Sequence, residues 1–339
     1  LKSIKNAGLY NSYCLLRDEG PETFYTGELS KILVKDLKEI NSFINSDDLS
    51  DYKSELTRSD KTVYRNSEVH VAPGLNAGPS LIDALNFLEK NWSSKNNNPD
   101  ADAYENYYKA LHFSFDKRLK EMGEPKENSC TTHLSVVDKE GNMVALTQTL
   151  LSVFGSRVIL PESGILMNNG IMWFDPRQGK PNSLSKDKKP LCNMCPTIVI
   201  DKSGKKIALG ASGGRRIFPS VFQTISFLLD YNMNLDDAFN TPSIDYSGEN
   251  RILANEKLGK DYQYILQVGS FKSSDEAENL KVSLLLMNLT AESESIKNKN
   301  GETWHRVLVG PFANTSKMAS ARAKLAQNSI ESLMLKREL

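Results

Sequence analysis

Several features are scarce in this sequence, and each scarcity excludes a class of protein. The chain has four cysteines in 339 residues, too few for the disulfide framework of a small secreted domain. Its four histidines are scattered, without the spacing of a zinc site. Basic and acidic side chains balance at 42 each, which argues against binding the phosphate backbone of a nucleic acid. No apolar run approaches the roughly 18 residues of a membrane-spanning helix.

What remains is an ordinary globular composition. Hydrophobic residues make up 39% and charged residues 25%, which excludes a collagen-like, wholly disordered or coiled-coil chain. The length predicts two domains, or one large domain and a smaller module. The chain starts at Leu1 without a methionine or an apolar leader, so we expect that a signal segment has been removed or that an upstream part is absent.

One cysteine pair has a spacing that can carry redox or metal chemistry. Cys192 and Cys195 are separated by two residues, as in redox motifs that open a helix after a strand. Here Pro196 and a strand-like stretch, 197–200, follow instead. This context disfavours a redox role, and we predict neither a cofactor nor a metal.

The first part of the chain, residues 1–128, is predicted to be mainly helical. Apolar residues recur there every three or four positions, the spacing of one helix face. Three segments show this periodicity: 27–37, 81–88 and 104–122. A short strand-like piece, 61–71, lies between the first two.

The pattern changes at Cys130. Two strand–turn–strand patterns follow, at 133–150 and 196–209, each with glycine in its turn. A buried helix is predicted at 219–231. Hairpins beside a buried helix predict sheets packed in layers.

A third region begins near Asp261. It is predicted to contain two strands and two helices: 264–268, 304–309, 273–287 and 317–327. The joint before it is too short to be a flexible tether. We therefore predict a small module that follows the second region directly.

Thr131 and Thr132, followed by His133, are the first residues that could carry covalent chemistry. A threonine hydroxyl is a weak nucleophile unless a base lies beside it. If the chain is cut before Thr131, the freed α-amine, with a pKa of about 8, can serve as that base. From spacing alone, two β-branched residues that begin a strand are the simpler interpretation.

The surrounding motifs, however, strongly resemble those of the γ-glutamyltranspeptidase family. The stretch 131–138 is similar to the start of that family's small subunit. Further motifs follow in the family's order: 162–169, 196–199 and 213–217. Upstream, 24–28 and 47–52 resemble the late part of the large subunit. The resemblance covers about residues 1–259.

The resemblance implies an α+β fold of the N-terminal nucleophile hydrolase type, a four-layer αββα sandwich made as a self-cleaving proenzyme. Cleavage would fall between Cys130 and Thr131 and give a heterodimer of two segments. Thr131 would be the nucleophile and, through its freed amine, the base. Thr149 matches the threonine that hydrogen-bonds the nucleophile, and Gly213 and Gly214 match the pair that forms the oxyanion hole. The substrate would be a γ-glutamyl or related amide.

The positions that bind the glutamyl group depart from the family pattern. Five residues fall at or beside these substrate-binding positions: Asn169, Gly170, Trp173, Cys192 and Asn193. Trp173 stands where the family has an acidic residue that holds the α-ammonium, and Leu151 where an asparagine contacts the glutamyl group. Gly170 replaces a glutamine, and Cys192 and Asn193 replace the serine pair that binds the α-carboxylate. Because an unpaired charge in a pocket costs on the order of a few kcal/mol, we expect a different, or less polar, acyl group.

Two parts of the family's enzyme lie outside the resemblance. The early large subunit, which supplies an arginine to the substrate carboxylate, would precede Leu1. The family's last strands are replaced by the third region. The expected domains are therefore 1–130 (late large subunit), 131–259 (shortened small subunit) and 262–339.

The third region closely resembles a SPOR (sporulation-related repeat) domain, on the stretches 264–271 and 304–312. Such domains are small ribonucleoprotein-like βαββαβ modules that bind peptidoglycan glycan strands lacking stem peptides. Four positions match glycan-contacting residues: Gln267, Ser270, Trp304 and Arg306. They would offer an aromatic face and hydrogen-bond donors to a sugar. Trp304 can instead be a core aromatic residue.

Three interpretations remain open. The first is a transpeptidase-like amidohydrolase or acyltransferase joined to a glycan-binding module, in the periplasm or cell envelope of a bacterium. The second is a binding protein in which only the SPOR-like module acts and the shortened enzyme region is inert. The third is a composite of two genes. Self-cleavage before Thr131 separates the first two, because an inert region has no reason to process itself.

Overall fold

The computed structural model describes residues 6–123, 130–248, 251–255, 258, 262–298, 300–312 and 315–338. The chain divides into two units. The first takes its residues from Leu1–Ser93, Asp100–Gln223 and Asp245–Ile252. The second takes its residues from Ser94–Pro99, Thr224–Ile244 and Leu253–Leu339.

Helices and strands occur in consecutive groups along the described residues. The helices are α1 (Ala7–Glu19), α2 (Glu28–Glu39), α3 (Ser46–Asp51), α4 (Gly78–Asn91), α5 (Ala101–Glu121), α6 (Ile217–Leu229), α7 (Leu235–Asn240), α8 (Ser274–Leu286) and α9 (Thr315–Gln327). The first six strands are β1 (Asp60–Tyr64), β2 (Ser67–Val71), β3 (Thr131–Val137), β4 (Met143–Thr149), β5 (Thr197–Ile200) and β6 (Lys206–Leu209). The others are β7 (Ile244–Asp245), β8 (Leu253–Ala254), β9 (Tyr262–Phe271), β10 (Ala291–Lys297), β11 (Thr303–Phe312) and β12 (Leu333–Glu338). Within the described ranges, every helix is too short or too polar to cross a bilayer.

A four-stranded antiparallel sheet, in the order β1-β2-β5-β6, forms the centre of the first unit. Helices α4 and α5 pack together, and α4 lies against β1 and β2. Helix α5 buries residues at helical spacing, among them Tyr107 and Phe115. These two rings contact Phe222 and Phe218 at centroid distances of 5.7 and 5.2 Å. The apolar face of each helix therefore builds the core, as its periodicity predicts.

The strand-like piece predicted at 61–71 is a hairpin of two strands rather than one strand. Its two-residue turn is Arg65–Asn66, with φ of 50° and 58°. Such φ values suit the right-handed twist of a hairpin and are usually supplied by Asn-Gly or Asp-Gly. Because an arginine occupies the first position, the sequence carries no clear turn signal here.

A second sheet, within the described residues, consists of the β3–β4 hairpin alone. It lies against β6, because Ser135 Oγ is 3.3 Å from the Ala208 carbonyl oxygen and a side chain at Gly210 would overlap His133. Alternate residues such as Leu134 and Leu146 are exposed on the other side. The first unit is thus a helical layer, a four-stranded sheet and a hairpin stacked on that sheet.

Helices α1 and α2 hold the loop that carries the predicted motif 162–169. Asp36, fully buried in α2, accepts hydrogen bonds from the backbone N–H groups of Glu162 (2.9 Å) and Ser163 (2.8 Å). Asn6 donates to the Gly164 carbonyl oxygen at 2.8 Å. Leu29, Leu33, Leu37 and Leu160 form a small apolar core below this loop.

The second unit contains an antiparallel sheet in the order β10-β11-β9-β12. Helices α8 and α9 lie against it, and the core includes Leu266, Leu284, Val307, Val309 and Leu325. The element order is βαββαβ, as the SPOR resemblance implies. The two strands that periodicity alone did not predict, β10 and β12, are the edges of the sheet, where less of each strand is buried and the apolar signal is weaker.

Candidate active site and glycan-binding face

Thr131 begins β3 and lies directly opposite Thr149, the last residue of β4. The hydroxyl of Thr149 donates a hydrogen bond to the Cys130 carbonyl oxygen (3.0 Å) and accepts one from the Leu151 N–H (2.9 Å). The Cys130 N–H in turn donates to the Leu151 carbonyl oxygen at 2.7 Å. Cys130, which precedes the peptide bond to Thr131, is therefore held by Thr149 and Leu151, with a hydroxyl donor on its carbonyl.

His133 is two residues further along β3, so it shares a face with Thr131. Its Nδ1 lies 2.8 Å from Thr147 Oγ1 and its Nε2 lies 3.1 Å from Ser135 Oγ. Burial lowers the pKa of the imidazole below its ordinary value. The ring is therefore neutral at pH 7, and both of its nitrogens are engaged by hydroxyl groups.

Gly213 and Gly214 follow β6 and lead into α6 through a short 3₁₀ turn, Gly214–Arg216. Their φ angles are 128° and 62°. At 128° the backbone of residue 213 requires glycine, and the 62° of Gly214 lies in the left-handed region that favours glycine. The N–H groups of this turn precede the N-terminus of a 13-residue helix, where the partial positive charge of the helix favours an anion.

Asn169 is brought beside the residues that follow β4. Its side chain accepts a hydrogen bond from the Ser152 N–H (3.0 Å) and donates to Ser152 Oγ (2.8 Å), and its own N–H donates to the Leu150 carbonyl oxygen at 3.2 Å. Leu151, at the centre of the segment 150–152, is buried at 4% exposure. Asn169 therefore fixes this segment and with it Leu151.

Gly170 and Trp173 are the ends of one 3₁₀ turn directly after Asn169. The Gly170 N–H donates to Asn168 Oδ1 at 2.8 Å. A Cβ at Gly170 would be 3.5 Å from the Trp173 ring, an ordinary contact, so the turn brings the indole over Gly170. Trp173 is half-buried.

Cys192 and Asn193 are buried against Arg118 of α5, at 8% and 7% exposure. Arg118 donates to the Cys192 carbonyl oxygen (2.7 Å), to Asn193 Oδ1 (3.1 Å) and to the Asn76 carbonyl oxygen (2.8 Å). Burial lowers the pKa of Arg118 to about 10, which leaves it charged at pH 7. The sequence does not mark Arg118 as a site residue, since a lone arginine in a polar-faced helix is usually exposed.

The thiols of the cysteine pair are buried as well. Burial raises the pKa of Cys192, and it raises the pKa of Cys195 to about 12. Both cysteines are free. A thiol with a raised pKa is a poor nucleophile and a poor metal ligand at pH 7, and among the described residues no cluster of His, Cys, Asp and Glu suits a metal ion.

A cleft of about 590 Å³ separates part of the β3–β4 hairpin from the four-stranded sheet. Its lining includes Met143, Ala145, Ile198 and His70. Met143 begins β4, so the cleft lies at the end of the hairpin away from Thr149 and Thr131. It is thus separate from the predicted catalytic residues.

In the second unit, a β-bulge brings the four predicted glycan contacts to one face. Ser270 pairs with Arg306 and Gln267 pairs with Leu308, with one extra residue, Val268, on β9 between these pairs. Directly paired residues share a face, so Gln267 and Ser270 lie on the same side although they are three positions apart. Val268 packs towards the core instead.

Trp304 lies two residues before Arg306 on β11 and shares its face. It is half-buried and is not part of the core cluster of this unit. The Lys272 ammonium lies 5.4 Å from the centroid of its ring, close enough for a cation–π contact. An aromatic ring, a guanidinium, an amide and a hydroxyl are therefore displayed together on the sheet.

Comparison with known proteins identifies both regions. The γ-glutamyltranspeptidase family model matches residues 2–130 and 124–281, and the SPOR domain model matches residues 260–336. The chain is 27% identical over 292 residues to the glutathione hydrolase proenzyme of Escherichia coli (strain K12), covering 71% of this chain and 50% of that protein. It is 29% identical over 268 residues to the Acylase ACY 1 proenzyme of Pseudomonas sp. (strain SE83), covering 68% and 48%.

Solved structures agree on the fold. The cephalosporin acylase of Bacillus halodurans superposes with a TM-score of 0.67 at 16% identity, covering 91% of this chain and 63% of that chain. The expected N-terminal nucleophile hydrolase fold is thereby confirmed. The chain spans about half the length of the curated relatives it matches. It belongs to the γ-glutamyltranspeptidase family and carries a SPOR domain at its C-terminal end.

Proposed function

We propose that this chain is a self-cleaving hydrolase or acyltransferase that acts through Thr131 on amides with an acyl group less polar than γ-glutamyl. The observation that carries the proposal is the hydrogen bond from the Thr149 hydroxyl to the Cys130 carbonyl oxygen at 3.0 Å. Attack on this carbonyl places negative charge on that oxygen. A preorganised donor there stabilises the transition state for cleavage before Thr131.

Self-cleavage then follows ordinary acyl chemistry. The Thr131 hydroxyl adds to the Cys130 carbonyl carbon and loses its proton, and the C–N bond breaks as the nitrogen takes up a proton. The product is an ester between the Cys130 carbonyl and the Thr131 oxygen. Water hydrolyses this ester, leaving a carboxylate on Cys130 and a free α-amine on Thr131 that can act as the base.

In turnover, the amine of Thr131 takes the hydroxyl proton as the oxygen attacks the amide carbon of the acyl donor. The resulting oxyanion is stabilised by N–H groups of Gly213 and Gly214. The stacking of β3 on β6 supports this role: Ser135 lies by Ala208 and His133 by Gly210. Continued for two more residues along each chain, this stacking would bring Thr131 to the glycine turn. The donor's amine takes up this proton and leaves as its bond to the acyl carbon breaks. Water or an acceptor amine then takes the acyl group from Thr131.

The departures from the glutamyl-binding pattern support a less polar acyl group. The half-buried indole of Trp173 and the buried side chain of Leu151 would line the acyl site where the family has an acid and an asparagine. Neither side chain carries an anionic or hydrogen-bond-accepting group for an ammonium. Similarity to proteins named acylases, as well as to glutathione hydrolases, is in keeping with this choice.

We propose that the SPOR domain binds peptidoglycan glycan strands on the face formed by Gln267, Ser270, Trp304 and Arg306. The indole suits the apolar face of a sugar ring, and the three polar side chains suit its oxygens. Such a ligand would bring the enzyme region to the cell wall, which corresponds to the periplasm or cell envelope of a bacterium.

Self-cleavage is tested by intact-mass analysis of the purified full chain. We expect two segments, beginning at Leu1 and Thr131, and a T131A variant that stays whole. Thr132 is adjacent but exposed on the opposite face of β3, so T132A is the matched control and should cleave like the wild type. T149V, which removes the donor on the Cys130 carbonyl, should slow cleavage by about tenfold or more.

A wild-type chain that remains whole after prolonged incubation contradicts the catalytic proposal. It would favour the alternative in which the SPOR domain is the active part and the enzyme region is inert.

Acyl preference is tested with a matched pair of anilides. Glutaryl p-nitroanilide is γ-glutamyl p-nitroanilide without the α-ammonium, so the ratio of kcat/KM values isolates the charge that Trp173 cannot pair. We expect the glutaryl compound to be favoured by at least about tenfold, equivalent to about 1.4 kcal/mol, and W173D to reverse the order. Efficient release from the γ-glutamyl compound or glutathione, abolished by T131A, would show that our interpretation of the departures is wrong.

A further inference from the structure

Asn182 joins two segments that each contain residues at predicted acyl-binding positions. It is buried at 2% exposure. Its amide donates to the Trp173 carbonyl oxygen at 2.7 Å and accepts from the Leu191 N–H at 3.0 Å. Leu191 directly precedes Cys192. One side chain therefore ties the 3₁₀ turn of Trp173 to the segment Cys192–Asn193.

The backbone of Asn182 strengthens this connection. Its carbonyl oxygen accepts from the Asp175 N–H at 2.8 Å. The Asp175 carboxylate pairs with Arg177 at 2.7 Å, and this arginine holds the pKa of Asp175 at about 2. The segment after Trp173 is thus folded back on Asn182, and the ion pair between Asp175 and Arg177 stabilises the turn within that segment.

The C-terminal end of α5 supports this connection. A Cβ at Gly123 would lie 2.8 Å from the Asn182 Cβ, so Asn182 packs directly on the backbone where the helix ends. One turn earlier, Arg118 holds Cys192 and Asn193. On the other side, the N–H of Cys192 donates to the Leu75 carbonyl oxygen at 3.0 Å. The segment 191–193 is therefore fixed from three directions, of which only Asn182 leads to Trp173.

We propose that Asn182 is a positioning residue that sets the separation of Trp173 from Cys192–Asn193 and thereby decides which acyl group the site accepts. This inference rests on the function proposed above. Asn182 takes no part in the chemistry at Thr131, because the hydrogen bonds of its amide go to backbone groups of the acyl-binding segments. Asn182 affects which acyl group the site accepts, whereas Thr149 affects self-cleavage before Thr131.

Two substitutions of Asn182 separate its two hydrogen bonds. In N182D, the ionised carboxylate still accepts from the Leu191 N–H but cannot donate to the Trp173 carbonyl oxygen. In N182A, both bonds are lost. N91D makes the same chemical change at an exposed asparagine that donates to a carbonyl four residues earlier, at 2.7 Å, and is the matched control.

The structural part is measured by hydrogen–deuterium exchange of the full chain at pH 8. We expect N182D to accelerate exchange in the peptide covering 170–175 but not in the peptide covering 190–194. We expect N182A to accelerate exchange in both, and N91D in neither. This measurement does not require enzyme activity. It therefore tests the connection made by Asn182 even if the wild type is inactive. Unchanged exchange in both peptides of folded N182A overturns the inference.

The functional part is measured on self-cleaved protein. We expect N182D to cleave itself at the wild-type rate and to keep kcat within about threefold. Its KM for glutaryl p-nitroanilide should rise about tenfold, since the loss of one buried hydrogen bond makes the position of Trp173 less well defined. If exchange in 170–175 is accelerated in N182D but the KM is unchanged, the role of Asn182 in selectivity is overturned. A wild type that never cleaves overturns the proposed function, and with it that role.

Discussion

Single buried ionic side chains fix the loops around the candidate site. Asp36 accepts two backbone N–H groups of the loop 162–164, and Arg118 donates to the segment 192–193. A buried charge is costly unless hydrogen bonds satisfy it, and removing either partner leaves the other unsatisfied. Each of these residues therefore couples a helix of the core to one loop, and substituting it should disturb that loop more than the helix.

His133 gives a pH dependence at the same scale. Its pKa is lowered by burial in the folded chain, so as the pH falls below about 6.5 the unfolded chain takes up a proton that the folded chain does not. Stability is therefore fully present above this value and is lost as the pH falls towards the folded pKa.

Denaturant unfolding of the wild type and of H133Q at pH 8 and pH 5 measures this effect. We expect the wild type to lose more stability between the two pH values than H133Q does. Equal losses would mean that His133 is protonated equally well in both states.

At the scale of single elements, β9 shows how one extra residue changes a surface. A regular strand would place Gln267 and Ser270 on opposite faces. The bulge at Val268 restores them to one face, beside Arg306 and Trp304. The sequence contained the flexible Gly269 at this point, but the bulge is defined by pairing with β11, which lies more than thirty positions away.

Substitutions on this face should have unequal effects on glycan binding. Trp304 offers the largest contact area, and aromatic anchors dominate binding energies, so W304A should weaken sedimentation with amidase-treated sacculi by about tenfold or more. S270A removes one hydroxyl and should cost less, about twofold to fivefold. A W304A variant that binds like the wild type would show that Trp304 is structural only.

At the scale of the whole molecule, the SPOR domain has a core of its own. Its core cluster and the apolar residues packed on it lie between Tyr264 and Ile330. All four strands of its sheet are supplied by residues 262–338. A segment with a separate core and a complete sheet meets the conditions for folding alone.

Residues 262–339 expressed alone should therefore be soluble and cooperative in thermal unfolding, and should bind amidase-treated sacculi as the full chain does. Untreated sacculi, which retain stem peptides, are the control and should bind less. An isolated domain that folds but ignores treated sacculi would contradict the glycan-binding proposal.

Local sequence patterns were enough to predict many of the elements and the order of the motifs. Helical periodicity located α2, α4, α5 and α6, and alternation with turn residues located the β3–β4 and β5–β6 hairpins, because these signals are local. The motif order from Thr131 to Gly214 indicated the family before any contact was known. Edge strands β10 and β12, and the turn at Arg65, were not predicted, because their local sequence signals are weak.

Contacts between residues distant in sequence were set by the folding of the chain. Thr149 could be matched to a motif, but its hydrogen bond to the Cys130 carbonyl depends on the register of β4 on β3. Nothing near Arg118 or Asn182 in the sequence marks them as partners of residues 192 and 173, since each contact joins segments brought together by packing. Burial and long-range hydrogen bonding are properties of the folded chain, and for this reason the supports of the site could not be predicted from its motifs.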